Sequence, residues 1–329
     1  MGIAVTVIIP IKNRRGYLLD ALAGLSAQTY AEPFEVIVLD NQSQEDIRGA
    51  VESFAATAPM PVRYHLMAED RGPTPARNLG AAMAQGQILA FTDSDCRPHP
   101  GWLEHAVAAF DDEDVGLVSG PVLYKPEQTR QLMSKVTAQT LVEHPTYPTA
   151  NAFYRRKAFE ELGGFDEKLC FKDPFDRAVE CADSDLAWRV IKAGYRNRFV
   201  PEAIIYHEIE QLSFFHWMIE PSRIFVLPLL VKLHPEIRSR MLIWNLFMWR
   251  NCIWMYVILI VGIPIVWIFP QALWLAAAAP VAAAIAKTRT VNPVTVVTAT
   301  GQTVLRAIRV LFMSMALIYG SIRFRSLVL

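Results

Sequence analysis

Ile88-Leu89-Ala90-Phe91-Thr92-Asp93-Ser94-Asp95 is the stretch on which the fold turns. A short apolar run ends in two aspartates one residue apart, as expected of a buried strand that delivers carboxylates to a sheet edge. Working outward, other strand-like runs end the same way: Val5–Ile11 leads into Lys12-Asn13, and 34–39 leads into Asp40-Asn41. Between these runs and Val62–Leu66 lie 17–28, 45–56 and 76–85, whose apolar residues recur at helical spacing. Gly86 reads as the C-cap of the third helix. Strand–helix alternation of this kind predicts βαβ units and a mainly parallel sheet. Three strand ends carrying acids and amides make that edge the expected site.

The 329 residues carry no formal net charge, but the charge is split along the chain. From Gln211 onward there are 11 Lys and Arg against 2 Asp and Glu, while the preceding part holds 21 and 30. An acidic body with a basic, apolar tail argues against a nucleic-acid partner and for a folded domain held at an anionic membrane surface. The tail also explains the 53% hydrophobic content. Val5–Ile11 is too short for a signal-peptide core and has no basic segment before it, so the leading domain is expected in the cytosol. Cys96, Cys170, Cys181 and Cys252 show no CxxC spacing, which suits a reduced compartment without structural zinc.

The region 121–210 is less regular, with helices expected at 155–162 and 183–193, each closed by glycine. Residues 251–286 contain no charge between Arg250 and Lys287. As one helix this run would be about 54 Å long against a hydrocarbon core of about 30 Å. A hairpin over about 243–286, turning near Pro270-Gln271 with both basic ends cytosolic, fits better. A further helix is expected over about 304–322, and 211–240 reads as an amphipathic interfacial segment. Trp102 and the cluster Phe214-Phe215-His216-Trp217 are candidates to line an acceptor site, with interfacial anchoring the favoured role for the cluster.

Two aspartates in a compact turn can hold a hard divalent cation against a diphosphate. Asp40, at the end of a buried strand, can accept the imide N–H of uracil or the matching edge of another base, or can serve as a helix cap. Together these features resemble the family 2 glycosyltransferases, inverting enzymes of the GT-A fold. Val7-Ile8-Ile9-Pro10 with Asn13-Arg14 resembles that family's opening strand and loop, and Asp40-Asn41-Gln42-Ser43 stands where it has Asp-Asp-Gly-Ser. Arg71-Gly72 and Ala76-Arg77-Asn78-Leu79-Gly80 resemble its donor-side loop and helix, and Asp93-Ser94-Asp95 its metal motif. Gly163-Gly164-Phe165-Asp166-Glu167 and Asp183-Ser184-Asp185-Leu186 resemble the approach to, and start of, its catalytic helix.

The resemblance covers about residues 3–207 and implies a GT-A domain over 1–210, while the uncharged apolar runs place membrane helices over 241–329. It implies donor contacts from Pro10, Lys12, Asn13, Asp40, Arg71, Arg77, Asp93 and Ser94, and Mg²⁺ or Mn²⁺ held by Asp93 and Asp95. His207 is a candidate ligand, and a structural histidine is the alternative. Asp183 takes the place of the general base. Ala182 stands where the family has Glu, with Glu180 two residues earlier, which leaves Asp185 as a substitute base.

The expected activity is transfer of a single sugar from a nucleotide diphosphate sugar, UDP-linked, to an acceptor hydroxyl on a lipid or glycan at the cytoplasmic membrane face. A processive polysaccharide synthase would add Gln-x-x-Arg-Trp, which does not occur here. A nicotinamide oxidoreductase would need GxGxxG where the chain has Pro10-Ile-Lys-Asn-Arg-Arg-Gly16. A nucleotide-sugar-binding membrane protein that has lost catalysis is the remaining alternative, raised by Ala182.

Overall fold

The computed structural model describes residues 2–135, 139–290 and 292–329. It divides into two compact units, the first holding Met1–Arg130, Val136–Phe171 and Glu180–Glu210, the second Gln131–Lys135, Lys172–Val179 and Gln211–Leu329.

The first unit begins β1 (Val5–Ile11), α1 (Arg15–Ser26), β2 (Phe34–Asp40), α2 (Ile47–Ala55), β3 (Val62–Leu66), α3 (Pro73–Met83) and β4 (Ile88–Phe91). It continues with β5 (Cys96–Pro98), α4 (Trp102–Ala108), β6 (Val115–Ser119), β7 (Val122–Tyr124), β8 (Ala152–Arg155) and α5 (Arg156–Glu161). After β9 (Cys170–Lys172) and β10 (Ala178–Glu180) come α6 (Ala182–Lys192), β11 (Arg196–Phe199) and β12 (Ile205–His207). Seven strands form the main sheet in the order β11-β6-β8-β4-β1-β2-β3. Every pairing in it is parallel except those of β8 with β4 and β6, so the expected mainly parallel α/β architecture is present.

Continuous apolar runs occupy the centre because parallel strands are covered on both faces. All residues of β1 and β2 are buried, whereas the edge strand β3 is mostly half-buried. Ile11 pairs with Asp40 and Ile8 with Phe91, so β1, β2 and β4 finish side by side. This register delivers Lys12-Asn13, Asn41 and Asp93 to one edge. A second sheet, β5-β12-β7, sets Cys96 directly opposite His207.

Gly86 is not the C-cap that the sequence suggested. Ala84 ends α3 in an extended conformation. A Cβ on Gly86 would lie 2.5 Å from the Thr6 backbone nitrogen, so this glycine permits close approach to β1.

The second unit contains α7 (Phe214–Ile219), a 3₁₀ segment (Glu220–Val226), α8 (Leu227–Leu233) and α9 (Glu236–Met241). It also contains α10 (Arg250–Val257), a π turn (Ile258–Gly262), α11 (Ile263–Ile268), α12 (Ala272–Thr288) and α13 (Pro293–Phe324). The break between α11 and α12 falls at the expected Pro270-Gln271. The helix expected from about 243 begins instead at Arg250, after a turn closed by an Ile243–Phe247 bridge. The final helix starts well before 304, because Asn292 caps Val294 and Thr295 and Pro293 fills the first turn.

Among the described residues, three helices are long and apolar enough to cross a membrane: Phe214–Leu233, Arg250–Ile268 and Pro293–Phe324. In the first, Trp217, Phe225 and Leu230 are buried and Phe225 stacks on Phe324 of α13, while Phe214 and Phe215 at its start are exposed. By contrast, Trp254, Trp267 and Trp274 are 65%, 84% and 79% exposed. Such large apolar side chains facing outward suit a lipid surrounding.

Candidate active site

The parallel sheet edge and the smaller sheet bring Asp93, Asp95, Cys96 and His207 together, with ligand atoms all within 4.8 Å of one another. The turn after β4 supplies the aspartates, with buried Ser94 between them, and β12 supplies His207. His207 Nδ1 donates to the Glu208 carbonyl at 2.7 Å, because a carbonyl can only accept. Nε2 then turns its lone pair toward Asp95 Oδ1, 3.6 Å away. Two lone-pair groups facing each other in a buried place call for a cation or a proton between them. The other Asp95 oxygen, Oδ2, accepts from Arg14 Nη1 at 3.1 Å, and Arg14 also pairs with Glu210 at 3.0 Å.

Arg77, one turn into α3, lies under this cluster. Its side chain is 8% exposed, donates to Asp93 Oδ1 at 2.7 Å and lies 3.5 Å from Glu180. Glu180 also accepts from Thr74 Oγ at 2.7 Å. Glu180 ends the strand before α6, two residues ahead of Ala182. Burial opposes the Arg77 charge, but Asp93, Glu180 and Asp183 outweigh it and raise the pKa further. Asp183, at the start of α6, is partly buried and accepts from the Ser184 backbone N–H at 2.8 Å. Burial pushes its carboxyl up to about 6, with Glu180 and Asp93 adding to the rise and Arg77 opposing it. A carboxyl near neutrality beside a charged cleft has the character of a proton acceptor.

Asp185 is differently placed. It is buried and accepts from Arg189 Nε at 2.7 Å, while Arg189 also ties down the Leu162 and Gly164 carbonyls. Its carboxylate thus braces α6 against the preceding glycine loop.

The other expected donor residues form a second group. Pro10 is buried in β1. Asn13 accepts from Gln44 N–H at 2.8 Å and its own N–H donates to Ser43 Oγ at 2.7 Å, joining the first two strand ends. Asp40 is 3% exposed and uses both oxygens internally: Oδ1 accepts from Ser43 N–H at 2.9 Å, and Oδ2 from Tyr64 Oη at 2.7 Å. Burial, followed by Asp40, pushes the Tyr64 hydroxyl up to about 12. Lys12 pairs with Asp70, which also accepts from Asn41 Nδ2 at 2.5 Å. Arg71 is half-exposed and pairs with Glu167 at 2.7 Å. Trp102 does not line a cleft: it is fully buried, with Nε1 donating to Asn151 at 2.8 Å.

Nothing in the sequence alone marks a role for Cys96, Tyr64 or Asp70, and Arg14 stands there only as part of the opening loop. Cys96 adjoins the acidic motif in the chain, but its alignment with His207 depends on strand pairing across about a hundred residues. Burial, then Asp95 and Asp93, push the Cys96 thiol up.

The profile described as Glycosyl transferase family 2 matches residues 6–163, and that described as Glycosyl transferase family group 2 matches 88–287. Glycosyltransferase AglE of Haloferax volcanii is 30% identical over 213 residues, covering 62% of this chain and 66% of that protein. The pre-mycofactocin glycosyltransferase of Mycobacterium tuberculosis is 29% identical over 217 residues, covering 62% of this chain and 42% of its own length. The chain thus spans somewhat under two thirds of the first relative and less than half of the second. In fold it resembles a mannosyltransferase from Pyrobaculum calidifontis, solved with GDP-Man and Mn²⁺, at a TM-score of 0.58 and 24% identity, covering 98% of this chain and 86% of that one. It also resembles S. aureus TarS at 0.52 and 16%, covering 98% and 91%. Sheet order, the strand-end carboxylates and the profile that spans more than half of the sequence converge on one conclusion: this chain belongs to family 2 of the glycosyltransferases.

Proposed function

We propose that the protein is a membrane-attached inverting glycosyltransferase. It moves a single sugar from a nucleotide diphosphate donor, UDP-linked, to a hydroxyl of a lipid or lipid-linked acceptor. The observation that carries this reading is the meeting of Asp93, Asp95 and His207 within a few ångströms, with Arg77 linking Asp93 to the Glu180 side of the cleft. In this reading residues 1–210 are the catalytic domain, 211–240 attach to the membrane surface and 241–329 lie in it, with the catalytic domain cytosolic.

A divalent ion, Mg²⁺ or Mn²⁺, held by Asp93, Asp95 and His207 would offset the charge growing on the departing diphosphate. The protein's own groups do the rest. Asp183 takes the proton of the acceptor hydroxyl as that oxygen bonds to the anomeric carbon. The bond from that carbon to the diphosphate oxygen breaks on the opposite face, which inverts the configuration. Arg77 fixes Asp93 and offsets the mutual repulsion of the surrounding acids. Asn13 and Asp40 hold the first two strand ends in the shape that receives the nucleoside.

The test is a screen of nucleotide sugars for stabilisation of the full chain against heat, with and without Mg²⁺ or Mn²⁺. One donor should raise the midpoint only when the ion is present, and product analysis should show the inverted anomer. Equal response to all nucleotides regardless of metal would refute the reading.

A further inference from the structure

We propose that Cys96 is a sulfur ligand of the metal cluster and makes this site select a transition-metal ion, Mn²⁺ or one later in the first row, over Mg²⁺. The inference rests on the metal-dependent reading above and adds a residue and a selectivity to it.

Cys96 opens β5, and antiparallel pairing with β12 puts it opposite His207. Cys96 Sγ donates to Asp95 Oδ1 at 3.9 Å, the same oxygen that faces His207 Nε2 at 3.6 Å. Sulfur, imidazole nitrogen and carboxylate oxygens therefore converge on one point, and their mutual separations stay within 4.8 Å. Opposed donors around a single ion with bonds of about 2.1–2.3 Å are separated by little more than 4 Å, so small adjustments suffice.

The neighbours reinforce this division of labour. Arg77 holds Oδ1 of Asp93, and Arg14 holds Oδ2 of Asp95. Each aspartate keeps one oxygen for the cluster, and the Glu208 carbonyl fixes the His207 tautomer that offers Nε2. A set of two oxygens, one nitrogen and one sulfur does not suit Mg²⁺, which wants a shell of hard oxygen ligands. It suits ions further along the first transition row, for which thiolate and imidazole are favourable ligands. On ligation the thiol loses its proton to solvent and the Sγ–metal bond forms, with no change in oxidation state.

Cobalt(II) reports sulfur ligation directly. The full chain in detergent, titrated with Co²⁺ in the presence of a nucleoside diphosphate, should develop a sulfur-to-metal charge-transfer band in the near ultraviolet as well as weaker visible d–d bands. Cys96→Ser should lose the first and keep the second. By calorimetry, wild type should bind Mn²⁺ at least tenfold tighter than Mg²⁺, and Cys96→Ser should narrow that ratio several-fold. Visible bands without the ultraviolet band in wild type, or an ultraviolet band that survives Cys96→Ser, would overturn the sulfur ligand while leaving the metal-dependent reading intact. Absence of any Co²⁺, Mn²⁺ or Mg²⁺ binding would overturn both.

Discussion

Arg77 Nη2 donates to Asp93 Oδ1 at 2.7 Å, from a guanidinium whose other amino group lies 3.5 Å from Glu180. This contact joins two acids that are far apart in the chain and belong to opposite sides of the proposed cleft. Removing the cation leaves both acids without it in a largely buried place. Arg77→Met should lower stability by about 3–5 kcal/mol, the scale for breaking one side of a buried ion pair. Glu180→Gln added to it should recover part of the loss. Denaturant unfolding followed by tryptophan fluorescence measures both, and an Arg77→Met protein as stable as wild type would remove this contact from the account.

Asp183, the proposed base, sets the expected pH profile. With its pKa raised to about 6, the carboxylate needed to accept a proton is lost as pH falls through that value. The ratio kcat/KM should therefore rise with pH to a plateau above about 6, and Asp183→Asn should lower turnover by roughly 10²-fold or more. Asp185→Asn should act mainly on stability, through its bond to Arg189. The stability sign runs opposite to activity. A carboxyl raised in the folded state favours folding fully only below its unfolded value, and that contribution disappears as pH rises through 6. Asp183→Asn should thus be more stable than wild type at pH 8, by an amount that shrinks toward acid pH.

Tyr64 and Asp40 give a separate test. If the tyrosine hydroxyl is needed to satisfy a buried carboxylate, Tyr64→Phe should cost about 1–3 kcal/mol in stability. It should also weaken nucleotide binding, because Asp40 holds the Ser43 turn that Asn13 grips. Calorimetry with UDP and GDP on Tyr64→Phe and Asp40→Asn separates loss of shape, which weakens both, from loss of a base contact, which changes their ratio.

Gly320 lets α13 approach the 3₁₀ segment closely. A Cβ there would lie 2.0 Å from the Phe225 carbonyl oxygen, a backbone atom that cannot swing aside. Gly320→Ala should destabilise by about 1–3 kcal/mol through overpacking, seen as a lower thermal midpoint in detergent. Gly301, with open space around it, should accept alanine without loss.

Ile260 tests the membrane reading. It is 70% exposed in the middle of the Arg250–Ile268 helix. Facing water, Ile260→Arg would be nearly neutral. Facing lipid, it should oppose insertion by about 2.5–3.5 kcal/mol, visible as increased release of the chain by alkaline carbonate.

The sequence by itself determined the strands Val5–Ile11, Val62–Leu66 and Ile88–Phe91, because an apolar run bounded by turn residues has few other ways to be buried. It also determined the edge at which Asp40, Asp93 and Asp95 would emerge, since a parallel sheet ends its strands together. The register along helices 155–162 and 183–193 was legible for a similar local reason, with glycines marking the ends. Tertiary structure alone decided which of these side chains meet. Arg77 reads in the chain as a donor contact and stands in the fold as a buried link to Asp93 and Glu180. Asp185 reads as a substitute base, and only the fold shows its pairing with Arg189. Cys96 reads as an ordinary reduced thiol, yet strand pairing sets it against His207. Local periodicity fixes which face a residue occupies. Ion pairing and metal geometry depend on contacts across many tens of residues, where the chain's own order carries no distance information.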